Sequence, residues 1–111
     1  MSDVKVLKAQ RMQAEIAKGA DYVEARLAGA LTFDDHEPFR QLLSDLLAAD
    51  SPHVVLELSS VTSVDSSGLG MFLIADDETK RAGRRLTLRS AEGQVRHVLK
   101  LSGVDTIIAV E

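Results

Sequence analysis

The sequence predicts an α/β domain in which a mixed four- to five-stranded sheet carries its helices mainly on one face. Three observations predict it. Apolar residues recur at every second position in the first part of the chain. They change to spacings of three and four between Phe33 and Asp50, and strands then alternate with helices to the end. A chain of 111 residues matches the commonest domain size and suffices to bury roughly two thirds of its unfolded surface, so 1–111 reads as one domain.

Val4 and Val6, then Met12, Ala14 and Ile16, mark two strands, over Val4 to Leu7 and Met12 to Ile16. Lys18-Gly19-Ala20-Asp21 is a turn. Tyr22 to Leu27 alternates again and stops at Gly29, giving three short antiparallel-type strands. Phe39, Leu42, Leu43, Leu46 and Leu47 form one apolar helix face, with Thr32 or Asp34 as the cap and Asp35, Glu37 and Pro38 near the first turn. His53 to Leu58 reads as a central strand. A helix follows from Ser67 to Arg81, ended by Ala82-Gly83, with Met71, Phe72, Ala75, Thr79 and Ala82 on its core arc. Leu69, Leu73 and Ile74 fall outside that arc, among Asp76, Asp77, Lys80 and Arg81. Arg85 to Leu88 is a strand, Ala91 to Leu101 a helix and Thr106 to Val110 a last strand. This alternation implies right-handed crossovers and parallel pairing.

The most informative segment is Asp65-Ser66-Ser67-Gly68-Leu69-Gly70, which joins a buried strand to an amphipathic helix. A helix start concentrates free N–H groups and the positive end of the dipole. It suits a capping side chain, and it equally suits a covalently attached phosphate. Beside a modifiable hydroxyl, Leu69 and Leu73 become a candidate partner surface.

Other chemistries find little support. With 17 acidic against 13 basic residues, one Tyr, three Phe and no Trp, the chain lacks both the charge and the stacking surface for direct nucleic-acid binding. No apolar run approaches the ~18 to 20 residues that span a bilayer, and the N-terminus lacks a signal-peptide pattern, so membrane insertion is not expected. Without cysteine there is neither a disulfide nor a thiolate metal site, which fits a cytoplasmic setting. Ser66 and Ser67 have no histidine at a motif spacing and no Gly-x-Ser-x-Gly elbow. Asp34-Asp35-His36-Glu37 would point in different directions on a helix start and is not read as a metal site. Gly68-Leu69-Gly70 is too short for a dinucleotide fingerprint, and no P-loop occurs. Lys80-Arg81-Ala82-Gly83-Arg84-Arg85 reads either as a contact for an anionic partner or as a solvated helix end. The expectation is a binding protein, not an enzyme, with no cofactor.

The element order and the hexapeptide together resemble a STAS domain, specifically a bacterial anti-sigma factor antagonist. The resemblance covers nearly the whole chain: Gly29-Ala30-Leu31, the run Val64 to Gly70, Ala82-Gly83, and Val-x-x-Val-Leu-x-Leu-x-Gly from Val95 to Gly103. It implies that Ser67 is phosphorylated by a serine kinase of the histidine-kinase-like ATPase fold and restored by a metal-dependent serine phosphatase. Asp65, Ser66, Gly68, Leu69 and Leu73 would contact the partner. Unmodified protein would bind the kinase or anti-sigma factor and free a sigma factor. Two departures stand out. Thr32 follows Gly-x-Leu where the family often has an acidic residue, with Asp34 and Asp35 slightly later. The family's further C-terminal helix has no counterpart before Glu111, which would leave sheet surface for a homodimer or a larger partner. The competing reading is a non-phosphorylated STAS scaffold subunit of a lipid-transporting ABC complex, with Ser67 acting only as a cap.

Overall fold

The computed structural model describes residues 12–111, so the strand expected at Val4 to Leu7 lies outside the described residues. Strands β1 (Gln13–Lys18), β2 (Tyr22–Leu31), β3 (His53–Val64), β4 (Arg85–Arg89) and β5 (Ala109–Val110) form a five-stranded sheet in chain order. β1 is antiparallel to β2, and every later pairing is parallel. Helices α1 (His36–Ala48), α2 (Ser66–Arg81) and α3 (Gly93–Ser102) make the connections. The mixed sheet and the three helices agree with the α/β expectation. Several boundaries do not.

β2 and β3 both run beyond their predicted ends, to Leu31 and Val64. Gly29 adopts φ 91°, a left-handed conformation that costs glycine little, at a register shift between Gly29 and Ala30. Pairing resumes at Ala30↔Ser63 and Leu31↔Val64. The β-branched Val61 and Val64 are buried there, which carries the strand past the polar Ser59 and Ser60. The last strand is shorter than expected. Gly103 at φ 78° starts a 3-10 turn over Val104–Thr106, held by the Thr106 N–H and hydroxyl on the Gly103 carbonyl at 3.0 and 2.6 Å.

Val23, Ala25, Val54, Leu56, Leu86 and Leu88 share one sheet face and one core with side chains from all three helices. α1 contributes Phe39, Leu42, Leu43 and Leu46, and its Phe39 meets Phe72 of α2 edge-on at 6.4 Å. α3 contributes Val95 and Leu99. The opposite face carries charge: Glu24 and Arg89 pair at 3.1 Å across buried Val55. Glu57 lies on that face too. Burial pushes its carboxyl up, but hydrogen bonds from the Ser59 hydroxyl and N–H and from Ser90, with the Arg26 charge, outweigh this and leave it below the ordinary value.

On α2, Met71, Phe72, Ala75 and Thr79 face the core as predicted, the last with its hydroxyl on the Ala75 carbonyl at 2.6 Å. Ala82 is a correction: it is the exposed residue that ends the helix, one position beyond the last full turn. Asp76 is another. It is buried and reaches Lys80 at 2.8 Å.

Candidate functional site

The site begins where β2 and β3 end together. Asp65, extended at φ −95° and ψ −175°, donates its N–H to the Leu31 carbonyl at 3.3 Å and so continues the parallel ladder by one bond. Its side chain then turns back, and Oδ1 accepts the Gly68 N–H at 2.9 Å. Asp65 is therefore the cap of α2, and neither serine supplies it. Ser66 is exposed and Ser67 half-buried, both within the first turn.

Gly68 lets the helix seat against the strands. A Cβ there would stand 2.7 Å from the Leu31 carbonyl oxygen and 2.7 Å from Val64 Cγ1, closer than either can tolerate. Because Gly68 is buried, it serves the site by allowing this approach; its own surface is closed to a partner. Gly70 has no such duty, since nothing lies within 4 Å of a Cβ at that position.

The leucines divide. Leu69, expected outside the core, is half-buried and packed against it, next to the close approach of Gly68 to the ends of β2 and β3. Leu73 and Ile74 are 38% and 45% exposed, and they continue the apolar surface along the helix. A residue given no role from the sequence extends it. Phe33, 69% exposed, projects from the 3-10 turn Phe33–Asp35 that follows β2 and stacks edge-on with His36 at 5.4 Å. A groove of 370 Å³ between α1 and α2 is lined by His36, Phe39, Arg40, Leu43, Met71, Ile74 and Glu78.

Asp35, expected only as an acidic residue near the first helical turn, is a structural joint. It is 1% exposed and accepts the Met12 N–H at 3.0 Å, the Thr32 N–H at 2.8 Å and the Thr32 hydroxyl at 3.3 Å. Of the run Asp34 to Glu37, then, Asp35 turns inward, while Asp34 and Glu37 are exposed and His36 lines the groove. The other histidines sit elsewhere: His53, at the far end of β3 from Asp65, bonds Thr87 Oγ1 at 2.7 Å, and His97 is exposed on α3. Three of the four cations of the basic run have partners within the fold. Lys80 pairs with Asp76 at 2.8 Å and Arg81 with Asp77 at 3.1 Å. Arg84 holds the Leu47 carbonyl at 2.7 Å and Asp50 at 3.3 Å. Among the described residues no helix is long and apolar enough to cross a membrane.

Comparison with known proteins places this geometry. A family model described as "Mlab, STAS domain" matches residues 15–109. A STAS-domain containing protein of Pseudomonas aeruginosa (strain UCBPP-PA14) is 26% identical over 85 residues, 77% of this chain and 83% of that protein. Among solved structures, an anti-sigma factor antagonist from Mycobacterium paratuberculosis superposes with a TM-score of 0.81 at 15% identity, covering 91% of this chain and 86% of that one. The Bacillus cell fate determinant SpoIIAA in its phosphorylated form gives 0.66 at 21% identity, covering 89% and 91%. At these identities the structural matches establish a shared fold.

Proposed function

Since the chain belongs to the STAS domain family, matched over residues 15–109, we propose that it is an anti-sigma factor antagonist whose partner is chosen by phosphorylation of Ser67. Unmodified, it binds an anti-sigma factor that is also a serine kinase; a metal-dependent serine phosphatase returns the modified form. The observation that carries this reading is the division of labour at the start of α2. Asp65 does the capping, so Ser67 is left half-exposed in the first turn with no capping role to explain it.

A phosphoryl group on Ser67 adds about −1.5 to −2 charges at neutral pH. The fold accepts it at modest cost. The helix N-terminus returns roughly 0.3 to 1 kcal/mol against the repulsion from Asp65. A partner seated on Leu73, the exposed edge of Leu69 and the rim formed by Asp65 and Ser66 has no such compensation. An unpaired charge buried in that interface costs on the order of 2 to 5 kcal/mol, a loss of roughly thirty-fold to several thousand-fold in affinity. The switch is local and requires no refolding.

The test is intact-mass and phosphopeptide analysis of the protein from its native cells, with and without phosphatase, together with capture of partners by Ser67→Ala and Ser67→Asp. One phosphoryl group on Ser67, and a partner held by Ser67→Ala but released by Ser67→Asp, is the expected result. Equal retention by the two variants would sink the reading. A second reading, the non-phosphorylated scaffold of a lipid-transporting ABC complex, is favoured by one observation: the matching family model carries the Mlab description and not that of an antagonist. It predicts an unmodified Ser67 and stable co-purification with a membrane complex.

A further inference from the structure

β4 accompanies β3 only from His53 to Glu57. Beyond Glu57 the strand keeps β2 on one side as far as Val64, while the other side has lost its ladder. Along a parallel strand the N–H and C=O of one residue point the same way, and those of the next residue point the opposite way. Asp65 sends its N–H towards β2, to Leu31, so Val64 points its own pair away from β2. A side chain meets them there. Gln94, in the first turn of α3, accepts the Val64 N–H on Oε1 at 3.1 Å and donates Nε2 to the Val64 carbonyl at 3.4 Å. Its primary amide does what a peptide group of a neighbouring strand would do, since it carries the same acceptor and donor pair.

Val64 is the residue before the cap. It is 3% exposed, and its Cγ1 is one of the two atoms that set the approach of Gly68. The peptide leading into Asp65 is thus held from both sides, its N–H by the Leu31 carbonyl and its C=O by Gln94 Nε2. We infer that Gln94 is a positioning residue for Ser67: through Val64 it fixes the pose of the Asp65 to Gly68 turn and ties that pose to α3. This rests on Ser67 being the modified residue. The geometry at Val64 can nevertheless be tested without it.

Three full-length proteins decide the matter: the unaltered chain, Gln94→Glu, which at neutral pH keeps the acceptor but loses the donor, and Gln94→Ala, which loses both. Amide hydrogen exchange followed by NMR is read at Val64, Asp65 and Gly68. Leu56 and Leu88, in the core, report global opening. Protection at the three site amides should fall about five- to tenfold in Gln94→Ala, beyond any change at Leu56 and Leu88, with Gln94→Glu between. Ser67 phosphate occupancy in native cells should fall in the same order. Loss of protection spread evenly over all five amides, or no loss, would overturn the inference. So would an occupancy that ignores a local loss. If the unaltered chain carries no phosphate on Ser67, the proposed function fails, and the exchange pattern alone then decides the positioning claim.

Discussion

Two helix starts stand side by side at the ends of β2 and β3, whose last residues Leu31 and Val64 are register partners. Each uses an aspartate to receive backbone N–H groups. The outcomes are opposite. Asp35 is sealed at 1% exposure, its carboxylate occupied by two N–H groups and a hydroxyl, and it ties residue 12 to the approach to α1. Asp65 is exposed, satisfies one N–H with Oδ1, and is followed by two serines of which one is exposed and one half-buried. The same chemistry makes a structural joint in one case and a modifiable end in the other. What separates them is how deeply the carboxylate is buried, and whether a distant donor, here the Met12 N–H, joins the local ones.

Removing the sealed aspartate should have the largest effect. Asp35→Ala leaves a cluster of buried donors without an acceptor and should destabilise the protein by about 2 to 4 kcal/mol in urea titrations. A loss below about 1 kcal/mol would break the contrast, since Asp35 would then be no more structural than Asp65. The glycines of the modifiable end come next. Gly68→Ala drives a Cβ into the Leu31 carbonyl and Val64 and should cost about 1 to 3 kcal/mol. Gly70→Ala, in open space on the same helix, should be neutral or stabilise by up to about 1 kcal/mol. Equal effects would mean that α2 is not seated by close approach.

The sequence shows why the sealed end was hard to foresee and the open one was not. Asp65 and the serines follow an apolar strand directly, so both the cap and the exposed hydroxyls are local features. Asp35 is bound to Met12, 23 residues away, and only its spacing of three from Thr32, with which it forms a capping box, separates it locally from Asp34. Gln94 is similar: its partner is 30 residues distant, and a glutamine in a first helical turn carries no signal of its own. The helical faces were legible because a 3.6-residue period needs no tertiary information. The wheel misplaces Leu69 and Asp76 because it assumes one buried direction, whereas α2 meets the ends of β2 and β3 closely at Gly68 and packs on β4 as well.

Asp65 itself sharpens the comparison at a smaller scale. Asp65→Ala removes one capping bond and should cost about 1 kcal/mol, while Ser66→Ala should stay within about 0.5 kcal/mol. A larger loss from the serine would show that the cap is shared.

The smallest effect tests whether the contrast between sealed and open carboxylates is graded. Glu57 is half-buried on the charged face and accepts the Ser59 N–H at 3.0 Å and its hydroxyl at 2.7 Å. Its pKa is lower in the folded protein than in the unfolded chain. A carboxyl of this kind contributes stability that is present above its unfolded pKa and lost as pH falls through its folded one. Glu57→Gln should therefore be less stable than the unaltered chain at neutral pH, by about 0.5 to 1 kcal/mol. The gap should close on acidification below the ordinary glutamate range. Two of its bonds come from Ser59, two positions along the chain, and Ser90 adds to them. Glu57 should accordingly fall below Asp35, whose carboxylate is buried and also holds the distant Met12 N–H, and near Asp65, whose partner is local. A Glu57 effect as large as that of Asp35, or a gap that widens in acid, would mean that burial of the carboxylate is not what distinguishes the two helix starts.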